Sequence, residues 1–199
     1  MVVDFNTLGS KTLSPAGLAH VVLRTQPENF TKMTEFYKRF LGGHASHEND
    51  FLSFITYDEE HHRIAIAAIP NIVSRNPKTC GLEHIAFTFS SLAELLLAYR
   101  QRKAQGIYPI WSVNHGVTLS IYYRDPDGNQ IETQVDCFAT PEEANVYMAS
   151  PDYAENPIGV DFDPDDFITK LQNGVIETEL YKRPNIGPRG MDSVPLIEG

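Results

Sequence analysis

Cysteine is nearly absent. The 199-residue chain has two, Cys80 and Cys137. That is too few for a disulfide framework or a cysteine-rich zinc site, so both read as reduced, structural thiols in a cytoplasmic protein. Basic charge is scarce as well: 16 Lys and Arg stand against 26 Asp and Glu, a net charge of -10. Nucleic-acid phosphates and anionic lipid are therefore unexpected partners. No apolar run is long enough to cross a membrane. The opening MVVDFNTLGS lacks a basic stretch followed by an apolar one, so secretion is not expected. What remains is ordinary for a water-soluble globular chain, 42% hydrophobic and 21% charged, long enough for a substantial core.

The clearest internal feature is a repeat. Gly17-Leu18-Ala19-His20-Val21-Val22-Leu23 returns as Gly81-Leu82-Glu83-His84-Ile85-Ala86-Phe87, at an offset of 64 residues (84 − 20). A helical stripe follows each copy: Phe30, Met33, Phe36, Tyr37 and Phe40 up to Gly42-Gly43, then Leu92, Leu95, Leu96 and Tyr99 up to Gly106. Strand candidates follow the first helix at Phe51–Tyr57 and His62–Ile69, and run after the second through Val135. Fixed-period self-similarity predicts two matching units that pair around one concave site. The fold expected is α+β: two βαβββ modules forming one cupped, barrel-like mixed sheet, with a C-terminal extension. The boundaries read as a lead-in over 1–16, modules over 17–79 and 80–138, and an extension and tail over 139–199. Residues 70–79 read as an inserted loop. In the extension, Thr140 with Glu143 is a capping pair, and Asp163 or Asp165 is expected to start a helix through Leu171. From 182 on, Pro, Gly and charge predict a partly disordered tail.

Within the second module, Val117–Tyr123, the turn Asp125-Pro126-Asp127-Gly128 and the run Asn129–Val135 form the segment around which the chain is organised. Alternation puts Gln130, Glu132 and Gln134 on one face. A carboxylate there, on a strand expected to be buried, needs an Arg, a Lys or a metal beside it. Of the seven histidines, His44 and His47 read as solvated loop residues and His61 as an exposed loop end. A lone histidine in an apolar strand is ordinarily a hydrogen-bonded core residue. His20 and His84, matched in two copies, instead point with Glu132 to a metal. Two imidazoles and a carboxylate on one face of the ion suit Fe(II) or Mn(II), and ligand type alone does not separate these from Zn(II). Shifting Glu132 back by 64 residues reaches Ala68, in a run Ile64–Ile69 with no possible ligand, so that side of the ion is expected to stay open.

These pieces, together with His61-His62-Arg-Ile-Ala-Ile-Ala and His115-Gly-Val-Thr-Leu-Ser-Ile-Tyr122, resemble the vicinal-oxygen-chelate superfamily (glyoxalase/bleomycin resistance/dioxygenase). Within it they are most similar to type I extradiol ring-cleavage dioxygenases of the single-domain class, over about residues 15–138. Asn156–Pro164 is also similar to the stretch that follows the catalytic module in that group. The resemblance implies iron ligation by His20, His84 and Glu132. It makes His62 the acid–base that assists dioxygen activation, with Tyr122 hydrogen-bonding the bound diol and His115 assisting at the substrate oxygen. Parity gives support, since His62 shares it with Ile64, Ile66 and Ala68, and Tyr122 with Ser120. The implied reaction is Fe(II)-dependent, or Mn(II)-dependent, cleavage of a catechol or 2,3-dihydroxybiphenyl-like diol by O2 to a muconic semialdehyde. Its partners would be the small aromatic diol and O2, and the chain would be a homo-oligomer. The alternatives are a glyoxalase- or epimerase-type metal isomerase and a non-catalytic small-molecule-binding protein of the same fold.

Overall fold

Apolar residues spaced for one helix face decide where each helix of the two modules lies. In a computed structural model that describes residues 9–195, the first module runs β1 (Val21–Thr25), α1 (Phe30–Leu41), β2 (His44–Glu48), β3 (Leu52–Thr56) and β4 (Ile64–Ala68). The second runs β5 (His84–Thr88), α2 (Leu92–Ala104), β6 (Trp111–Asn114), β7 (Thr118–Arg124) and β8 (Gln130–Asp136). All five stripe residues of α1 and all four of α2 are buried. Gly42 ends α1 in the left-handed conformation, φ 64°, which a residue without Cβ adopts at no steric cost.

Strands pair in the order β1-β4-β3-β2 and β5-β8-β7-β6, the same in both modules. In each, the first strand lies parallel to the last and the remainder are antiparallel. The expected pair of βαβββ modules is thus present, hydrogen-bonded as two sheets with no closed barrel among the described residues. His44 and His47 lie on a strand, not in a loop, though both are exposed as expected. HASHE is an edge strand that buries almost nothing, so it shows no apolar alternation.

One core serves both modules. Ile55, Ile64 and Ile66 pack in the same cluster as Leu92, Leu119, Ile121 and Ile131. Each such side chain contributes about 1.5–3 kcal/mol by leaving water. Tyr37 of α1 donates to Asp125 Oδ2 at 2.9 Å, and Asn29 donates to Asp127, so the first module grips the turn that precedes β8. Arg102 of α2 donates to the Phe40 carbonyl at 2.9 Å and lies over the Phe40 ring at 4.1 Å.

The extension adds α3 (Pro141–Met148), α4 (Pro151–Glu155), β9 (Val160–Asp161), α5 (Pro164–Gln172) and α6 (Glu177–Leu180). Thr140 and Glu143 form the expected capping box, and Asp163 caps α5. β9 pairs with β6 and widens the second sheet to five strands. The tail through residue 195 packs on the protein: Arg189 pairs with Asp161 at 2.7 Å, and Val194 is buried in a cluster with Trp111. The expectation of partial disorder does not hold over 182–195, because a few well-placed contacts offset a polar composition. Residues 1–8 of the lead-in and 196–199 of the tail lie outside the described residues.

Candidate active site

Glu132 sits mid-strand on β8, opposite Tyr122 of the antiparallel β7 and Ala86 of the parallel β5. Strand alternation therefore gathers His84, Glu132, Ser120 and Tyr122 on the face turned away from the helices. His84 Nε2 lies 3.0 Å from Glu132 Oε2. His84 Nδ1 is buried with no hydrogen-bond partner. Burial alone would push the Glu132 carboxyl up, but hydrogen bonds from His84 and Ser120 outweigh it and hold the group below its ordinary value. The same bond raises His84 above the ordinary imidazole range against its partial burial.

Beyond Glu132, Tyr122 OH is 3.0 Å from His115 Nε2, and His115 Nδ1 is 2.6 Å from the Ile158 carbonyl of the extension. Burial and then the Glu132 charge push the Tyr122 phenol far above its usual value, so it stays protonated. Burial lowers His115, which favours neutral imidazole. Trp111 stacks on Tyr122, centroids 5.1 Å apart, and donates from Nε1 to Asp161 at 2.8 Å. These groups line a cavity of ≈ 620 Å³ roofed by Ile158, Met191 and Val194 from the extension and by Arg75 and Pro77 from the inserted loop.

His20 and His62 lie elsewhere, on the first module. His20 is exposed just before β1, its ring 4.3 Å from that of His62. His62 is stacked at 4.4 Å on Phe54, and burial, followed by the charge of His20, lowers it. Neither lines that cavity; His20 shares a smaller one with Ile85 and Ala86 of β5. Among the described residues no three His, Cys, Asp or Glu side chains come close enough to hold one ion. The set read from the sequence is thus divided, with His84, Glu132, Tyr122 and His115 together and His20 with His62.

A family model described as the Glyoxalase/Bleomycin resistance protein/Dioxygenase superfamily matches residues 17–133, both modules without the extension. The chain belongs to this superfamily.

Within the superfamily, the chain is 45% identical over 174 residues to biphenyl-2,3-diol 1,2-dioxygenase 3 of Rhodococcus globerulus, covering 86% of this chain and 90% of that one. It is 48% identical over 147 residues to biphenyl-2,3-diol 1,2-dioxygenase 2 of the same organism, covering 73% and 76%. A glyoxalase/dioxygenase crystal structure from Nostoc punctiforme shares the fold at TM-score 0.52 and 18% identity, over 65% of this chain and 99% of that one.

The superfamily fold also corrects two details of the sequence reading. The registers Ala86↔Glu132 and Val22↔Ala65 make Ala65, not Ala68, the counterpart of Glu132. The β6–β7 hairpin is longer than its β2–β3 counterpart, as Trp111↔Tyr122 against His47↔Phe54 shows, so a fixed offset overshoots; the position still offers no ligand. Nor does His62 share a face with Ile64 and Ile66, as its parity implied. Ile64 and Ile66 belong to the helix-side core, whereas His62 precedes β4 and its ring stacks on Phe54, which pairs with Ala65. The parity of Tyr122 with Ser120 holds, since both interact with Glu132. Sequence reasoning missed Trp111 and Ile158. Trp111 is the chain's only tryptophan and leaves a weak signal; a backbone carbonyl leaves none.

Proposed function

We propose that this protein is an extradiol dioxygenase. It opens the ring of an aromatic 1,2-diol beside its hydroxyls with O2, giving a muconic semialdehyde-type product. Both oxygen atoms enter that product, so no external reductant is consumed. The observation that carries the reading is the His84–Glu132 pair beside Tyr122 and His115, with His84, Tyr122 and His115 lining a cavity walled by Trp111. The relatives named for cleaving biphenyl-2,3-diol extend it to diols bearing a second aromatic ring.

An imidazole bonded to a carboxylate, with its other nitrogen buried and unpartnered, is a donor set that fits a divalent cation. His84 and Glu132 would hold that ion, with His20, just before β1, as the third ligand and Fe(II) as the metal. His20 must swing across from His62 to join them. Bound Fe(II) would supply the route by which a singlet diol reacts with triplet O2.

The protein's own share is orientation, dryness and proton handling. Trp111, Ile158 and Val194 exclude water and face an aromatic ring. Tyr122 orients a diol oxygen by a hydrogen bond, and His115 assists there through its contact with Tyr122. His62, with a lowered imidazole pKa, is neutral near pH 7 and available to take up a proton. The chain works as a homo-oligomer in this reading.

Anaerobic loading with Fe(II), then 2,3-dihydroxybiphenyl and air, tests the proposal. A yellow ring-cleavage chromophore that forms only with metal is expected. Full iron loading with no ring-opened product from this diol or from catechol would overturn the reading.

A further inference from the structure

The extension reaches the site through one backbone carbonyl. Ile158 O can only accept a hydrogen bond, so the 2.6 Å contact requires His115 Nδ1 to carry the proton. The neutral ring then has a bare Nε2, 3.0 Å from Tyr122 OH, which must be the donor in that contact. Free neutral imidazole prefers its proton on the other nitrogen, so this arrangement needs a partner held in place.

The turn that presents Ile158 is built for that. Asn156 is buried; its Oδ1 accepts from Gly159 N at 2.7 Å and its Nδ2 donates to Gly159 O at 3.2 Å, closing the turn around Pro157 and Ile158. Gly159 has φ +110°, and a Cβ there would lie 2.3 Å from the Asn114 carbonyl, so the turn sits tight against the end of β6. Arg183 donates from one guanidinium to the carbonyls of Asn156, His115 (3.3 Å) and Asp152 (3.0 Å), tying the turn, the histidine's own backbone and α4 together.

We propose that the Asn156–Gly159 turn, clamped by Arg183, is a positioning device. It fixes His115 as the tautomer protonated on Nδ1, so that a bare Nε2 competes with the Glu132 carboxylate for the single Tyr122 hydroxyl proton and holds that proton away from the cavity. Tyr122 then meets a bound diol as an acceptor, and the diol hydroxyl beside it keeps its own proton. Asn156 and Arg183 touch no substrate; they act through His115. The effect on turnover rests on the dioxygenase reading, whereas the tautomer does not.

Long-range proton–nitrogen NMR on the full chain, purified without metal and labelled in histidine nitrogen, reads the tautomer directly, with His115→Gln assigning the signal. Wild type is expected to show His115 protonated on Nδ1. Asn156→Ala is expected to give a mixture of tautomers, Arg183→Ala a smaller shift, and Arg183→Lys partial rescue. In turnover, Asn156→Ala should lower kcat about tenfold with KM within about twofold, as for loss of an aligned proton-handling group. A wild-type signal from the Nε2-protonated tautomer overturns the proposal even if every variant misfolds. So does a folded Asn156→Ala chain with unchanged tautomer and kcat. Absence of ring cleavage in wild type would instead strike the dioxygenase reading and leave the tautomer result standing.

Discussion

The two modules share a topology and differ in what they do with the second face of the sheet. Their helix-side faces are alike, with Ile55 and Ile66 in one and Ile121 and Ile131 in the other, all buried in a common core. The opposite faces have diverged. In the second module that face carries His84, Glu132 and Tyr122 and is roofed by the extension, so Tyr122 is only 4% exposed. In the first, Ala65 stands where Glu132 would, and Val22 is 52% exposed. A duplicated fold must keep one face to bury its helix; the other is free to become a site in one copy and stay sparse in the other. The extension follows the same division, because its Ile158, Val194 and β9 all serve the second module.

That contrast can be pressed at several points. The largest effect is expected where the first module contributes chemistry: His62→Phe should keep iron yet lose turnover by about a hundredfold or more, as for a proton-transfer group. Wild-type rates by oxygen uptake would remove His62 from the mechanism and leave the first module as scaffold. Next come the helix-side faces that both modules bury. Ile55→Ala and Ile121→Ala should each destabilise by about 2–5 kcal/mol in urea denaturation, and by similar amounts, since both side chains are fully buried. A cost at Ile55 of under about 1 kcal/mol would mean the first module is not part of the shared core. The smallest effect belongs to the open face: Val22→Ala should change stability by less than about 0.5 kcal/mol. A loss above about 2 kcal/mol would show that this face is covered in solution.

The sequence carried the helix stripes, the turn, the capping box and the βαβββ repeat, because each depends on local spacing that a chain must show to bury one face. It did not show β2, whose HASHE residues bury almost nothing, nor the packed tail, where Val194 and Arg189 act as isolated contacts. In the site, alternation correctly put Glu132 on one face with Gln130, and Tyr122 with Ser120; that these two sets face each other comes from the register of β7 and β8. It failed at His62, where two irregular residues precede β4 and reset the parity. The split between His20 and His84–Glu132 was not legible either. Repeat symmetry says that two positions are equivalent, but not how far apart the sheets hold them.

The central claim is that one divalent ion draws a ligand from each module. Iron content per chain after anaerobic Fe(II) loading and desalting, compared for wild type, His20→Ala and Glu132→Ala, tests it most directly. The account predicts about one iron per wild-type chain and little in either variant, the facial set needing all three donors. A His20→Ala chain that retains a full complement of iron at wild-type affinity would contradict it, and would confine the metal to the second module alone.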